Sequence, residues 1–303
     1  MEEGRLRYNE PMSRLTTFRV GGPADAVLAP AGPDELVRAL KLCRQHGIPV
    51  TILGNGSNVV VADAGIRGLV VAFGPPFSGI DIREEGSGWH EVRAEAGATL
   101  AAVAARCAAA GLEGMEFACG IPGTIGGAVF MNAGAYDGCM ADIVRTTRVL
   151  DADFLEHAIG KAEHRFGYRE SALMRDGTII LETHLLLRAG NRESIGARIA
   201  ELGVRRRLSQ PLELPSAGSA FKRPPGHFAG KLISDCGLRG QRIGGAQVSE
   251  KHAGFIVNTG GATAADIRNL VRLVMETVRG STGVSLEPEI RFIGEWEDTA
   301  DRG

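Results

Sequence analysis

Two glycine-rich loops carry the first chemical signal. Leu53 is followed by Gly54-Asn55-Gly56-Ser57-Asn58, and a second burst runs Gly120-Ile121-Pro122-Gly123-Thr124-Ile125-Gly126-Gly127. Consecutive backbone N–H groups in such turns can form an anion nest. Glycine also strips side chains from the surface a ligand would approach. The first loop is not a Walker A loop, because no Gly-Lys-Ser/Thr follows it. It is not a G-x-G-x-x-G fingerprint either, because Val59 stands where the third glycine belongs. Alone, the first loop reads equally as a plain turn and the second as tight packing of a helix start on a sheet. Together, one in each expected subdomain, they fit a dinucleotide.

Three further residues could do chemistry. Arg169, in Phe166-Gly167-Tyr168-Arg169-Glu170-Ser171, could clamp a carboxylate or polarise a carbonyl, or simply pair with Glu170 at the surface. Ser219 sits in a Gly-flanked loop without the G-x-S-x-G context of a hydrolase, so a turn serine is the plain alternative. Glu289 lies where Leu286, Pro288, Ile290 and Phe292 alternate with Glu287, Glu289 and Arg291. That is the pattern of a half-solvated strand, and Pro288 puts it at an edge. The cluster Arg205-Arg206-Arg207 is long enough to meet one phosphate group. The seven histidines contain no H-E-x-x-H or short ligand pair, so no metal site is expected.

These residues need elements to hold them. Pro33 to His46 places Leu36, Val37, Leu40 and Cys43 on one helical face, with Gly47 as the C-cap. Strands are expected at 48–53, 59–61, 69–73, 91–96, 143–150, 178–187, 254–257 and 286–293. Thr99 should cap an Ala-rich helix ended by Gly111. Further helices are expected over 193–207, 230–236 and 264–278, the last with Ile267, Leu270, Val271 and Val274 on one face. The expected domains are 1–75, 76–208 and 209–285, with the strand over 286–297 returning to the first. The final 17 residues carry six acids and two bases and should fray into solvent.

Composition removes several classes. The chain has 303 residues with 34 Lys+Arg against 36 Asp+Glu, a net charge of −2, which gives no electrostatic footprint for nucleic acid. No stretch approaches the ~18 consecutive apolar residues of a membrane helix, and no secretory signal is visible at the N-terminus. The five cysteines include no C-x-x-C pair and read as reduced thiols of a cytoplasmic protein. The 42 glycines are about twice the usual share of roughly 7% and come in bursts between apolar segments, which argues for backbone loops held close to something.

The motifs together resemble the UDP-N-acetylenolpyruvoylglucosamine reductase (UDP-N-acetylmuramate dehydrogenase) family over roughly residues 8 to 297. They run in family order: Thr17-Phe18-Arg19-Val20-Gly21-Gly22, Leu53 to Asn58, Gly120 to Ala135, Tyr168-Arg169-Glu170-Ser171, Gly218-Ser219-Ala220-Phe221-Lys222-Arg223-Pro224, Gly244 to Ser249, and Leu286-Glu287-Pro288-Glu289-Ile290. Ser171 and Ser219 are 48 positions apart, which resembles the shorter subtype, lacking a tyrosine-bearing insert.

The resemblance implies an α+β chain with an FAD-binding fold of the vanillyl-alcohol oxidase type, built from two α/β subdomains, plus a smaller C-terminal α/β substrate domain. It implies non-covalent FAD, held by Gly54, Asn55, Gly56, Ser57, Asn58, Gly120, Ile121, Pro122, Gly123, Thr124 and Gly126. NADPH is the implied reductant and UDP-N-acetylglucosamine enolpyruvate the implied substrate, with no obligate protein partner. Arg169 and Glu289 match the family's catalytic arginine and glutamate, and Ser219 its proton donor. Tyr136, Arg207, Arg223 and Arg291 are the expected substrate contacts, although other members carry Asn at the place of Arg223. Two rivals remain: another flavoprotein of the same fold with covalently tethered FAD, and a non-catalytic nucleotide-binding module.

Overall fold

The structure is a computed structural model, and it describes residues 5–174 and 177–296; the acidic tail beyond Trp296 lies outside the described residues. The chain opens with β1 (Leu6–Pro11), β2 (Pro23–Leu28), α1 (Pro33–Gln45), β3 (Val50–Leu53), β4 (Val59–Val61) and β5 (Ile66–Ala72). It continues through β6 (Ile80–Gly86), β7 (Trp89–Glu95), α2 (Leu100–Ala110), β8 (Leu112–Glu113), α3 (Ile125–Phe130), β9 (Gly134–Ala135), β10 (Gly138–Cys139) and α4 (Met140–Ile143). Then come β11 (Val144–Leu150), β12 (Glu156–Gly160), β13 (Ile179–Ala189), α5 (Arg192–Ser209) and α6 (Ala229–Asp235). The last elements are β14 (Arg242–Ile243), β15 (Ala246–Val248), β16 (Ile256–Asn258), α7 (Ala264–Thr282) and β17 (Arg291–Ile293). Among the described residues no helix is long and apolar enough to cross a membrane.

Two compact units form. The first takes 5–27, 56–70 and 207–296 of the described residues, and the second takes 28–55 and 71–206 apart from 175 and 176. In the first unit α7 is the organising helix. Its buried Ile267, Leu270, Val271, Val274 and Val278 recur at helical spacing and meet Phe18, Val60, Phe221, Ile233, Val248, Ile256, Leu286 and Ile290 in one core. Each such side chain contributes roughly 1.5–3 kcal/mol on burial. Strands β14, β15 and β16 form an antiparallel sheet beside it, and β17 pairs in parallel with β4, Arg291 to Val59 and Ile293 to Val61.

The expected strand over 286–293 is shorter than its alternation suggested. Only Arg291–Ile293 forms a ladder. Ahead of it, Pro288 makes an isolated bridge with Phe221 while the Lys222 and Glu289 N–H groups bond across to Glu287 O and Ala220 O, at 2.9 and 2.8 Å. Proline has no N–H to extend a ladder, so pairing stays local there.

The second unit is built on an antiparallel sheet in the order β12-β11-β13-β7-β6, with β8 also pairing to β13. Leu181, Leu185 and Leu187 of β13 are buried and α3 packs on this strand. Thr99 caps α2 by accepting from Ala102 N–H at 3.2 Å, and Gly111 closes it in the left-handed conformation, as expected.

Candidate functional site

The first glycine loop is shaped by close approach. A Cβ on Gly54 would lie 2.5 Å from Thr124 Oγ1, so the second loop packs on bare backbone there. Gly56 has φ +59°, and a Cβ on it would lie 2.0 Å from Leu15 O; its own carbonyl accepts from Thr17 N–H at 3.1 Å. The two loops are also tied by Asn55 Nδ2, which donates to Pro122 O at 2.9 Å. These glycines therefore answer to the protein's own packing as well as to any ligand.

Their amides separate the loops chemically. In the second loop the N–H groups of Ile121, Gly123, Ile125 and Gly126 bond to Ala118 O, Ile121 O, Ala98 O and Ala96 O, and Gly127 N–H donates to Thr124 Oγ1. Its amides are mostly consumed in holding its own shape. In the first loop, none of the amides from Asn55 to Asn58 donates to an acceptor among the described residues outside the regular ladders. Backbone donors demand partners, so this row suits an anionic oxygen such as that of a diphosphate.

Arg169 belongs to the second unit. It stands in a tight turn, φ 56°, with Gly167 N–H donating to Glu170 O at 2.9 Å. Asn132 Nδ2 donates to Gly167 O at 2.8 Å and Ser171 Oγ to Phe130 O at 2.7 Å, which pins the turn to the segment leaving α3. The Arg169 guanidinium donates to Gly134 O at 3.0 Å and lies over the Tyr168 ring. Asn132, Tyr136, Asp137, Arg165 and Arg169 all have left-handed backbone. Such non-glycine strain gathers where function over-determines the chain.

Ser219 and Glu289 are brought together in the first unit. The segment from Ser219 to Lys222 runs between two others: Ser219 bridges Phe255, Ala220 N–H donates to Gly254 O at 2.8 Å, and Glu289 N–H donates to Ala220 O at 2.8 Å. Asn58 steadies the same segment, with Nδ2 donating to Glu289 O at 3.2 Å and its carbonyl accepting from Arg291 N–H at 3.0 Å. Ser219 and Glu289 are both half-buried.

The expected substrate contacts fall as follows. Tyr136 is in the second unit, its ring beneath Arg205 at 5.3 Å and its hydroxyl buried without a partner among the described residues. Arg207, Arg223 and Arg291 are exposed in the first unit; Arg223 stacks on Phe228 at 3.9 Å. Sequence reasoning took Arg206 only as one of a basic triplet and chose Arg207 from it. Arg206 is the half-buried member, and burial holds its guanidinium below the ordinary value, partly countered by Tyr136 and Cys119. Its neighbour Arg207 had the same sequence signal; only the helical phase of α5 separates them.

A concave charged patch on the sheet, lined by Asp81, Arg83, Glu91, Arg93, Arg148, Glu182 and His184, contains none of the expected site residues. Its groups are engaged with one another, Glu182 with Arg93, Arg148 and His184, and Arg83 with Asp81. Among the described residues no three His, Cys, Asp or Glu side chains gather as a metal site.

Comparison with known proteins decides the family. The chain is 48% identical to the UDP-N-acetylenolpyruvoylglucosamine reductase of Clostridium perfringens strain SM101 over 96% of its length and 94% of the relative. The chain belongs to the UDP-N-acetylenolpyruvoylglucosamine reductase family. The reductase of Caldanaerobacter subterraneus subsp. tengcongensis is also 48% identical, over 97% of this chain and 96% of the relative. The crystal structure of the family member from Thermus caldophilus superposes with a TM-score of 0.80 at 38% identity, covering 95% of this chain and 99% of that one. Residues 24–153 match an FAD binding domain, and residues 210–293 match the UDP-N-acetylenolpyruvoylglucosamine reductase C-terminal domain. The chain is therefore an FAD-dependent oxidoreductase of the expected α+β class, with an FAD-binding domain and the C-terminal domain of its family. The row of amides at 55–58 fits that cofactor.

Proposed function

We propose that this chain reduces the enolpyruvyl group of UDP-N-acetylglucosamine enolpyruvate to UDP-N-acetylmuramate in the cytoplasm, a step of peptidoglycan precursor synthesis, with non-covalent FAD and with NADPH as reductant. The observation that carries the reading is near-full-length identity to reductases of that name.

FAD held here would supply hydride chemistry for the enolpyruvyl β-carbon. The amides of 55–58, with the Gly120 to Gly126 loop, would hold that cofactor. Arg169, fixed by its turn and by Gly134 O, meets negative charge on the substrate side. Glu289 controls the charge that builds as the β-carbon accepts hydride. Ser219 Oγ–H donates its proton to the α-carbon, whose carbanion character makes it basic enough to take a proton from a weak acid. Glu289 is registered to this serine by the Ala220 carbonyl, one residue away. Tyr136, Arg207, Arg223 and Arg291 orient the nucleotide-sugar, the arginines through their match to phosphate oxygens.

A flavin spectrum tests the reading. NADPH should bleach the yellow protein, and the enolpyruvyl substrate should restore its colour. Acid precipitation should leave the pigment in solution. Colour that stays with the precipitate would favour a covalent flavoprotein, and a protein that takes up no flavin would favour the nucleotide-binding module.

A further inference from the structure

The residue that lacks an explanation in this scheme is Arg206. It leaves α5 against the start of the second glycine loop: a Cβ on Gly120 would lie 3.1 Å from Arg206 Cδ, 3.5 Å from Nη1 and 3.6 Å from Nε. Arg206 Nε is fully buried and meets no hydrogen-bond partner among the described residues. The same is true of the Tyr136 hydroxyl, on the ring that lies beneath Arg205, the residue next to Arg206 in α5. Tyr136 is held at φ 51°, with Arg205 over its ring. No carboxylate forms an ion pair with Arg206 among the described residues. The neighbours that act on its charge are the weakly acidic Tyr136 and Cys119.

A buried donor without an acceptor is costly, the more so on a half-buried cation with no anion paired to it. Two such donors beside one loop point to a ligand oxygen. We propose that Arg206, with the Tyr136 hydroxyl beside it, binds an anionic oxygen of a diphosphate at the Gly120 loop. The guanidinium fork matches phosphate geometry, and the bare face of Gly120 leaves room for its stem. This inference rests on the proposed function, which brings three diphosphates to the protein but assigns the Gly120 loop to FAD and Tyr136 to the nucleotide-sugar, and so singles out those two over that of NADPH. The chemistry is the same for both, and the test separates them.

The test compares the wild-type protein with Arg206→Gln, which keeps most of the stem packed on Gly120 but removes the charge. FAD affinity is read from flavin fluorescence quenching on the apoprotein, and UDP affinity from the flavin absorbance change of the holoprotein. One of the two dissociation constants should rise about 10- to 100-fold, the range of a charged hydrogen bond. A rise for FAD assigns the site to the cofactor; a rise for UDP assigns it to the nucleotide-sugar. Arg206→Lys restores the charge without the fork and should recover part of the loss. Should Arg206→Gln fail to fold, the Lys variant still decides, with an expected weakening of roughly 3- to 10-fold in one constant. Both constants unchanged in a folded variant overturn the inference alone. A wild-type apoprotein that binds no FAD overturns the functional reading and this inference with it.

Discussion

At the scale of single residues, the sequence displayed the chemical groups but not their surroundings. Ser219, Arg169 and Glu289 could each be named from motifs, and each also had a plain reading as a turn, an ion pair or a solvated strand. Neither reading contains what holds these residues in place, which is pairing across long sequence distances: Glu289 N–H on Ala220 O, and Asn58 Nδ2 on Glu289 O. No local pattern encodes such a contact. Arg206 was illegible for a related reason, since three consecutive arginines look alike until a helix turns one inward. The serine makes the sharpest prediction. Ser219→Ala removes a proton donor to the α-carbon and touches nothing that accepts electrons from NADPH. Bleaching of the flavin by NADPH should keep its wild-type rate, while turnover of the enolpyruvyl substrate should fall about 10²- to 10⁴-fold. Stopped-flow absorbance reads both half-reactions in one preparation. Turnover within a few-fold of wild type would remove Ser219 from the proton-donor role.

At the scale of elements, periodicity located helices well because it is a local property. The 264–278 helix was visible from Ile267, Leu270, Val271 and Val274, and it forms over Ala264–Thr282 with that face buried. The strand over 286–293 was overdrawn because alternation survives in an extended segment that a proline keeps from pairing. The start of α7 shows what sequence cannot supply. Thr263 and Asp266 form a local capping box, each donating its backbone N–H to the other's side chain at 3.0 Å. The remaining donors are met by Asp63, whose carboxylate accepts from Ala264 N–H at 2.8 Å and Ala265 N–H at 2.9 Å. That cap comes from 201 residues upstream. It also places a negative charge at the positive end of the helix dipole. Asp63→Ala should therefore destabilise the first unit by about 1–3 kcal/mol, the range for losing hydrogen bonds to a charged group. Thr263→Ala should cost about 1 kcal/mol, as for an ordinary cap. Urea unfolding monitored by circular dichroism would rank them, and an Asp63→Ala loss no larger than that of Thr263→Ala would show the distant cap to be redundant.

At the scale of the whole molecule, buried titratable groups set how stability depends on pH. His164 is fully buried in the second unit, Nδ1 against Gly160 O at 2.9 Å and Nε2 against Thr147 Oγ1 at 2.8 Å, with its ring stacked on Phe166. A carbonyl can only accept, so Nδ1 carries the proton and Nε2 accepts from the threonine hydroxyl. Burial lowers the pKa of this imidazole, against a smaller opposing pull from its hydrogen bonds to Gly160 and Lys161 and from Glu163. In the first unit His252 is lowered for the same reason, with Arg239 adding to the effect, and its Nδ1 accepts from Gly254 N–H at 3.1 Å. Protonating that nitrogen would break the bond. Both folded-state values lie below the unfolded value of about 6.5. The unfolded chain then binds more protons below that pH, so this stability is whole above it and is lost as pH falls toward the lowered folded values. Glu182 behaves differently. Burial pushes its carboxyl up, but Arg93, His184 and Arg148 together outweigh burial and hold it low. Its contribution persists through the histidine range and is lost only as pH falls below the ordinary carboxylate value, toward the lowered folded one. Calorimetric melting should therefore decline in two acid steps, from pH 7.5 to 5.5 and again below about 4.3. Each 1 kcal/mol lost should lower the midpoint by about 2–4 °C. A His164→Asn, His252→Asn double variant should melt lower at pH 7.5 yet keep a nearly constant midpoint down to pH 5.5, while retaining the second step. A wild-type midpoint that holds or rises between pH 7.5 and 5.5 would mean that the two imidazoles charge in the fold as readily as in the unfolded chain, and their burial would not govern its acid response.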